Sequence, residues 1–362
     1  MSERVYSYEH IGLKGWPFNR AGPDNADVWI GRPEVLRRVR LLLRSASRVP
    51  ASQLFLMWAD LGSGKTHALR HMEQLAKSQS DLVTIMLTTP RGIGSFFDVY
   101  RAAVDSAISV GALASAGRDL MDRTIRGQVT NDVERAIIAI GTYQDESARI
   151  AQAWLRGDRV QRQANRDIGI TSQIHSPSEA IDALGDLIKV LRRRDRAVLL
   201  LVDEVQELAD LANKKRDEAV GGLHKVFDKN PDGLTMVLSF TAAQQATMHA
   251  LIGGPLADRA NDVIDLPAIT RDEAVDLVIG LLRHWSIDPS TAPAPFELAA
   301  IEAAIDELLL GSPELSPRTV ILAFDAILRE AEFDIAEHTI TTIDKTYAIA
   351  HLPERDAAPK HG

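Results

Sequence analysis

The sequence predicts an α/β fold, a parallel sheet sandwiched by helices with a helical insertion and a C-terminal all-α lid, and three observations predict it. The apolar run Leu54-Phe55-Leu56-Met57-Trp58 enters a glycine-rich turn, Ala59-Asp60-Leu61-Gly62-Ser63-Gly64-Lys65-Thr66, and continues as the helical pattern of His67 to Lys77. A second run, Ala197 to Val202, is apolar throughout and ends on Asp203-Glu204, which marks a strand buried on both faces, as in a parallel sheet covered by helices. After Thr270 every pattern is helical.

At 362 residues the chain is long enough for two or three domains with well-buried cores. It has no cysteine, which excludes disulfides, thiolate metal sites and a cysteine nucleophile and fits a reducing compartment. The start of the chain lacks a basic segment followed by an apolar core, and no apolar run reaches membrane-spanning length. A cytoplasmic protein with no membrane partner is the expectation. The net charge of −9 excludes a protein that coats nucleic acid with its whole surface, so any contact with DNA is confined to a local basic patch.

Taken in order, Gly15-Trp16-Pro17-Phe18 comes first, followed by Trp29-Ile30-Gly31-Arg32-Pro33-Glu34. Pro33 suits the first position of a helix whose apolar positions are Val35, Leu36, Val39, Leu42 and Leu43. Leu82 to Leu87, apolar and β-branched, reads as the second strand, ending at Thr88-Thr89-Pro90. About a hundred residues then separate it from the next convincing strand, far too many for a structureless connection, and Phe96 to Val110, Val133 to Ile140, Ala148 to Leu155 and Ala180 to Arg192 are helical. This is the insertion, about residues 92–195. Trp154-Leu155-Arg156-Gly157, Arg159 and Ile168-Gly169-Ile170 within it form a specific local feature without assigned chemistry. Leu234 to Thr241 is a strand after the turn Asn230-Pro231-Asp232-Gly233, and a helix over Ala242 to Ala250 follows. A short strand, Val263 to Leu266, comes after Arg259. Helices over Arg271 to Trp285, Pro295 to Leu310, Pro317 to Phe333 and Ile340 to His351 make the lid, broken by prolines at 289–295. Thr270 with Glu273 has capping-box spacing, and Ser316 before Pro317 is a good N-cap that holds Arg318 near its helix start. The domains expected are 1–270, 271–351 and a frayed tail at 352–362.

The glycine turn carries the chemistry. Between a strand and a helix, its glycines let consecutive N–H groups, backed by the positive end of the helix, surround phosphate oxygens. Gly62, Ser63, Gly64, Lys65, Thr66 and His67 are the candidate phosphate binders, with Lys65 reaching the β and γ phosphates and Thr66 holding Mg²⁺. The turn departs from the full G-x-x-x-x-G-K-[ST] pattern only at Ala59. Gly-x-Gly-Lys followed by Ser or Thr arises by accident in a chain this long with a probability of roughly one per cent. Asp203 would contact Mg²⁺ through water and Glu204 would orient and deprotonate the attacking water of an ATP hydrolysis. Thr241, or in second place Ser239, either bonds that water or the phosphate, or Thr241 caps the next helix. Ile30 and Gly31 are candidates for an adenine pocket, with a plain core contact as the alternative.

These pieces together resemble the AAA+ ATPase family over about Ile30 to Leu328, with ATP and Mg²⁺ as the implied ligands. The resemblance implies that Arg259 reaches the γ phosphate bound by a neighbouring subunit, hence a homo-oligomer, and that Arg318 contacts the nucleotide of its own subunit. Within the family, Val202 to Leu208 and the Trp-Pro-Phe and Gly-Arg-Pro-Glu segments resemble DNA-associated initiator and transposition-regulator ATPases, including TnsC-like proteins. The stretch Trp154 to Gly157 with Gly169 resembles the ATP-binding proteins of BREX-type phage-defence systems. The implied function is a nucleotide-dependent switch or loader with an effector partner in a DNA-directed process, such as phage defence or mobile-element control. The alternatives are a signalling scaffold that recruits proteins without DNA, and a protein-remodelling motor, for which Arg91 to Phe97 is a weak pore loop. Arg192-Arg193-Arg194-Asp195-Arg196 and Lys214-Lys215-Arg216 are the basic clusters available to DNA.

Overall fold

Five strands, β1 (Gln53–Ala59), β2 (Leu82–Thr88), β3 (Ala197–Asp203), β4 (Leu234–Thr241) and β5 (Ala260–Asp265), form one sheet in the order β2-β3-β4-β1-β5. Every pairing is parallel. This is a computed structural model, and it describes residues 8–19, 25–125, 129, 131–143, 145–192, 196–241 and 245–353. The inner strands β3 and β4 are buried almost end to end, which their unbroken apolar sequence requires. Because all strands run the same way, their C-terminal ends share one edge, and Ala59 pairs in register with Thr241 there.

The helices follow in chain order: α1 (Pro33–Arg48), α2 (Lys65–Ala76), α3 (Phe96–Ser109), α4 (Ala112–Ile125), α5 (Asp132–Thr142), α6 (Glu146–Leu155), α7 (Arg162–Asp167), α8 (Pro177–Leu191), α9 (Asn213–Lys229), α10 (Gln245–Ile252) and α11 (Gly254–Ala257). The last four are α12 (Arg271–Trp285), α13 (Leu298–Gly311), α14 (Pro317–Ala336) and α15 (Lys345–Ala350). The sheet and the helices from α3 to α11 belong to one compact unit, Arg38–Asp60 with Met72–Asp265; the residues before it, Leu61–His71 and those from Leu266 on form a second.

In the sheet unit, α3 packs on β2 and α8, and α8 on α9. Phe96 is fully buried, its ring against Gly222 of α9, where an added Cβ would come within 2.6 Å of it. A pore loop would have to expose that ring. The insertion also contains α4 and α7, which hydrophobic periodicity does not reveal. Helices α4 and α5 cross backbone to backbone at Gly117 and Gly141: a Cβ on Gly117 would lie 2.0 Å from the Ile137 carbonyl oxygen. A contact made by missing side chains leaves no apolar signature. Gly117→Ala should therefore cost about 2–3 kcal/mol by forcing the helices apart. A urea-unfolding midpoint equal to wild type would refute it.

The Trp154 motif proves to be a lock on the loop that follows it. Trp154 is buried, its indole N–H donates to the Ser172 carbonyl at 2.9 Å, and the Tyr100 hydroxyl donates to the Leu155 carbonyl. Gly157, at φ +74°, lies so close to Phe97 that a Cβ would meet the ring at 2.3 Å. Asp132 accepts from the backbone N–H groups of Thr171 and Ser172 at 3.1 and 2.8 Å. Burial pushes the Asp132 carboxyl up, but the hydrogen bonds from Ser172, Thr171 and Arg135 outweigh it and hold the group below its ordinary value.

The second unit has its own core, in which Leu13 and Phe18 from the N-terminal segment join Val278, Leu282, Phe296, Ile301, Phe324 and Ile327 of the lid. Phe18 meets Phe296 edge-on at 6.4 Å and Phe324 at 5.9 Å. The Trp16 indole donates to Asp325 at 2.7 Å, and Arg329 lies over its ring. So the Trp-Pro-Phe segment is part of the lid's interior. Thr270 and Glu273 form the capping box at α12, and Ser316 caps α14. The last helix is shorter than its pattern, Lys345–Ala350, because Asp344 caps it and fixes its start. Residues 354–362 of the expected tail and 242–244 of the helix after β4 lie outside the described residues. Among the described residues no helix is long and apolar enough to cross a membrane.

Candidate functional site

The glycine loop belongs to the lid's unit. Gly62 and Gly64 have φ of +84° and +94°, left-handed values that favour glycine and that curl the loop tightly between β1 and α2. Ala59, where the motif departs from glycine, is the last residue of β1 and lies in the ladder opposite Thr241. Its Cβ therefore costs nothing. Ser63 and Lys65 are both 5% exposed, so the ammonium is held within the fold at the start of α2.

Two arginines clasp this loop. Arg318, at the second position of α14, donates its backbone N–H to the Gly62 carbonyl at 3.2 Å. A Cβ on Gly62 would meet Arg318 Cβ at 3.0 Å and Ser316 Oγ at 3.1 Å, so glycine is needed there for space as well as for φ. The Arg318 side chain is exposed. Arg32, which sequence reasoning missed, approaches from the other side: its guanidinium donates to the Ser63 carbonyl at 2.6 Å and also to the Pro267 carbonyl. Its own N–H donates to Glu273 at 2.9 Å. Arg32 is 9% exposed and adopts φ +47° after Gly31 at +71°, a strained pair for which a non-glycine residue costs roughly 1–2 kcal/mol. Burial pushes the Arg32 guanidinium below its ordinary value, and Glu273 opposes that shift. The signal available was Gly31-Arg32-Pro33, a left-handed turn into a helix.

Ile30 fills the notch left by Gly280 of α12, where a Cβ would stand 2.6 Å from it, and Gly31 lies against the Glu273 side chain. His67 points to the segment before them: Nε2 is 3.1 Å from the Asn25 carbonyl, and the ring is nearly parallel to His71, with Trp29 beside both. Burial is the main cause that holds the His67 imidazole below its ordinary value; the neighbouring charges of His71 and Arg70 add to it, while the Asn25 and Val28 backbone contacts oppose it. His67 thus ties α2 to residues 25–29.

The acid pair belongs to the sheet unit. Asp203 ends β3 at 1% exposure, its carbonyl accepting from the Thr89 N–H at 2.9 Å and its carboxylate from the Glu204 N–H at 3.0 Å. Glu204 has φ +56° and ψ +40°, a strained conformation that turns the chain sharply out of the strand and leaves its carboxylate partly exposed. Gln206, a second residue that the sequence did not single out, donates to the Glu204 carboxylate and accepts from the Thr241 N–H at 2.8 Å. Thr241 Oγ1 lies 3.4 Å from Glu204. Thr241 and Glu204 are thereby brought together, whereas Ser239 is fully buried and its hydroxyl has no partner among the described residues. The helix cap considered for Thr241 falls on residues outside the described ones.

Arg259 immediately precedes β5, half exposed, and forms an ion pair with Asp228 of α9. Of the basic clusters, Arg192 pairs with Asp232 and Arg196 with Asp119, while Arg193, Arg194 and Asp195 lie outside the described residues. Lys214 and Lys215 are exposed in the first turn of α9, which has no side-chain cap.

Thr66 in the lid's unit and Asp203 in the sheet unit each offer an oxygen donor of the kind that suits magnesium. A hydroxyl at Thr66 and a carboxylate at Asp203 are hard oxygen ligands, and Mg²⁺ is commonly held by one or two protein oxygens together with substrate phosphates. Among the described residues no group of three histidines and carboxylates forms a metal site of its own.

No protein-family model matches the chain. A curated relative from Methanocaldococcus jannaschii, described as an uncharacterized HTH-type transcriptional regulator, is 24% identical over 293 residues, which is 78% of this chain. The match spans 60% of that relative's length. Among solved structures, the chain is similar to the Aeropyrum pernix ORC2 protein in its ADPNP–ADP complexes, with a TM-score of 0.61 and 14% identity over 95% of this chain and 72% of that one. It is also similar to the Aeropyrum pernix ORC1 protein in complex with DNA, with a TM-score of 0.53 and 14% identity over 93% and 68% of the two chains. The chain shares the α/β AAA+ fold of these structures.

Proposed function

We propose that the chain binds and hydrolyses Mg-ATP and self-associates as a nucleotide-dependent switch or loader in a DNA-directed process. The observation that carries this is the loop of Gly62 and Gly64, left-handed at both glycines and clasped by Arg32 and by the start of α14. Lys65 supplies the phosphate counter-charge, and Thr66 and Asp203 hold Mg²⁺, which neutralises charge on the phosphates. Glu204 orients the attacking water and takes its proton, with Gln206 and Thr241 fixing the carboxylate. Arg318 senses the nucleotide of its own subunit through the backbone contact with Gly62. Arg259 serves a neighbour's nucleotide after leaving Asp228.

DNA contact is assigned to Lys214, Lys215 and Arg216. Cations in a first helical turn oppose the helix dipole, so three in a row at the head of α9 are a cost that a bound phosphate backbone would offset. The ORC1–DNA likeness and the HTH description of the curated relative support the DNA-directed part of the reading. Phage defence and mobile-element control, with a partner effector, rest on the sequence resemblance to BREX-type and TnsC-like proteins.

Fluorescence anisotropy of labelled duplex and single-stranded DNA, with and without non-hydrolysable ATP at two salt concentrations, is the test. Binding should require the nucleotide, show little sequence preference and fall steeply with salt as counterions are released. Lys214→Glu with Lys215→Glu should abolish it. Equal, negligible binding in every condition would remove DNA from the proposal.

A further inference from the structure

Helix α1 carries a line of cations that the described residues of the fold do not pair. Arg40, Arg44 and Arg48 follow one another at four-residue spacing on its exposed face, and none makes an ion pair among the described residues. Like charges at that spacing destabilise a helix. The neighbouring Arg38 is treated differently, bonded to Asp262 and the Val263 carbonyl. In the middle of the line stands Leu41, 53% exposed. A nucleic-acid backbone gains nothing from that leucine; a protein surface does.

Helix α13 is its counterpart in charge. Residues 271–351 hold fifteen acids against five bases, more than the whole negative charge of the chain. Along the outer face of α13, again at four-residue spacing, run Leu298, Glu302, Asp306 and Leu310, with the leucines 49% and 77% exposed, and the helix has no basic residue. Arg271 binds Asp306 and is close to Glu302, so the line is only partly neutralised. Two ridges of four-residue period pack naturally against each other, and here one is cationic around a leucine while the other is acidic between leucines.

We infer that α1 of one copy docks against α13 of a second copy, giving a head-to-tail contact between identical chains. The inference rests on the proposed self-association and names the surface that performs it. A contact between two different faces leaves one of each unused at the ends, so it propagates to a ring or a filament.

Mass photometry or analytical ultracentrifugation with non-hydrolysable ATP tests it on the full chain. The α1 variant is Arg40→Glu with Arg44→Glu; the α13 variant is Glu302→Lys with Leu310→Lys. Each alone should raise the dissociation constant for self-association at least tenfold while binding nucleotide as tightly as the wild type does at dilutions where it is unassembled, which also shows that it folds. A one-to-one mixture should associate more tightly than either variant alone, since each retains one intact face and the exchanged charges of the altered faces are again opposite. Wild-type assembly of either variant would overturn the docking surface alone. So would an α1 variant that loses DNA binding yet assembles normally. A wild-type chain that stays monomeric would overturn self-association and the docking together.

Discussion

Lys65→Ala will lose tight nucleotide binding, with an affinity at least a hundredfold below wild type. Lys65 is 5% exposed at the first position of α2, behind a loop whose glycines have no side chains to supply charge. A charge-assisted hydrogen bond is worth about 1.5–3 kcal/mol, and a lysine that reaches two phosphates makes more than one. The loop itself should survive the change, because Gly62 and Ser63 are held by the Arg318 and Arg32 contacts. Titration with a fluorescent ATP analogue measures the effect, and circular dichroism checks the fold. Wild-type affinity in this variant would remove the basis of the nucleotide reading.

The second large effect differs in kind. Glu204→Gln should bind ATP within about twofold of wild type yet hydrolyse it at least a hundredfold more slowly, since loss of a positioned general base costs roughly 10²–10⁴ in rate. Glutamine keeps the size of the side chain and an oxygen that can accept from Gln206 and Thr241, so the unusual backbone at Glu204 has the same supports as before. What it lacks is a carboxylate to take the proton. Single-turnover phosphate release separates the two quantities, and undiminished release would reassign the base to another residue.

Much of the architecture was legible because burial leaves a pattern. The strand at Leu234–Thr241 was read to the residue, since a central parallel strand must be apolar throughout, and the caps Thr270 and Ser316 announce their helices by local hydrogen-bonding chemistry. Helix α4 escaped because its closest contact is made by Gly117 and Gly141, and α7 because it is short and polar. At the candidate site the glycine loop and acid pair have local signatures; their supports do not. Arg32 reads as a solvated charge until the Ser63 and Pro267 carbonyls, 31 and 235 residues away, are brought to it. Gln206 acquires its place from Glu204 and from Thr241 at the end of β4, and the partner of Arg259 lies on α9.

The discontinuous second unit also sets an order on the ribosome. The sheet unit is complete once Asp265 has emerged, but Leu13 and Phe18 then still lack Phe296, Ile301 and Phe324. At 5–20 residues per second the lid takes roughly 5–20 s more to be synthesised. Through that interval Leu13 and Phe18 have no lid residues to pack against. The glycine loop waits as well, because Arg318 reaches Gly62 only after the lid exists. In a half-made chain that clasp on the loop is missing.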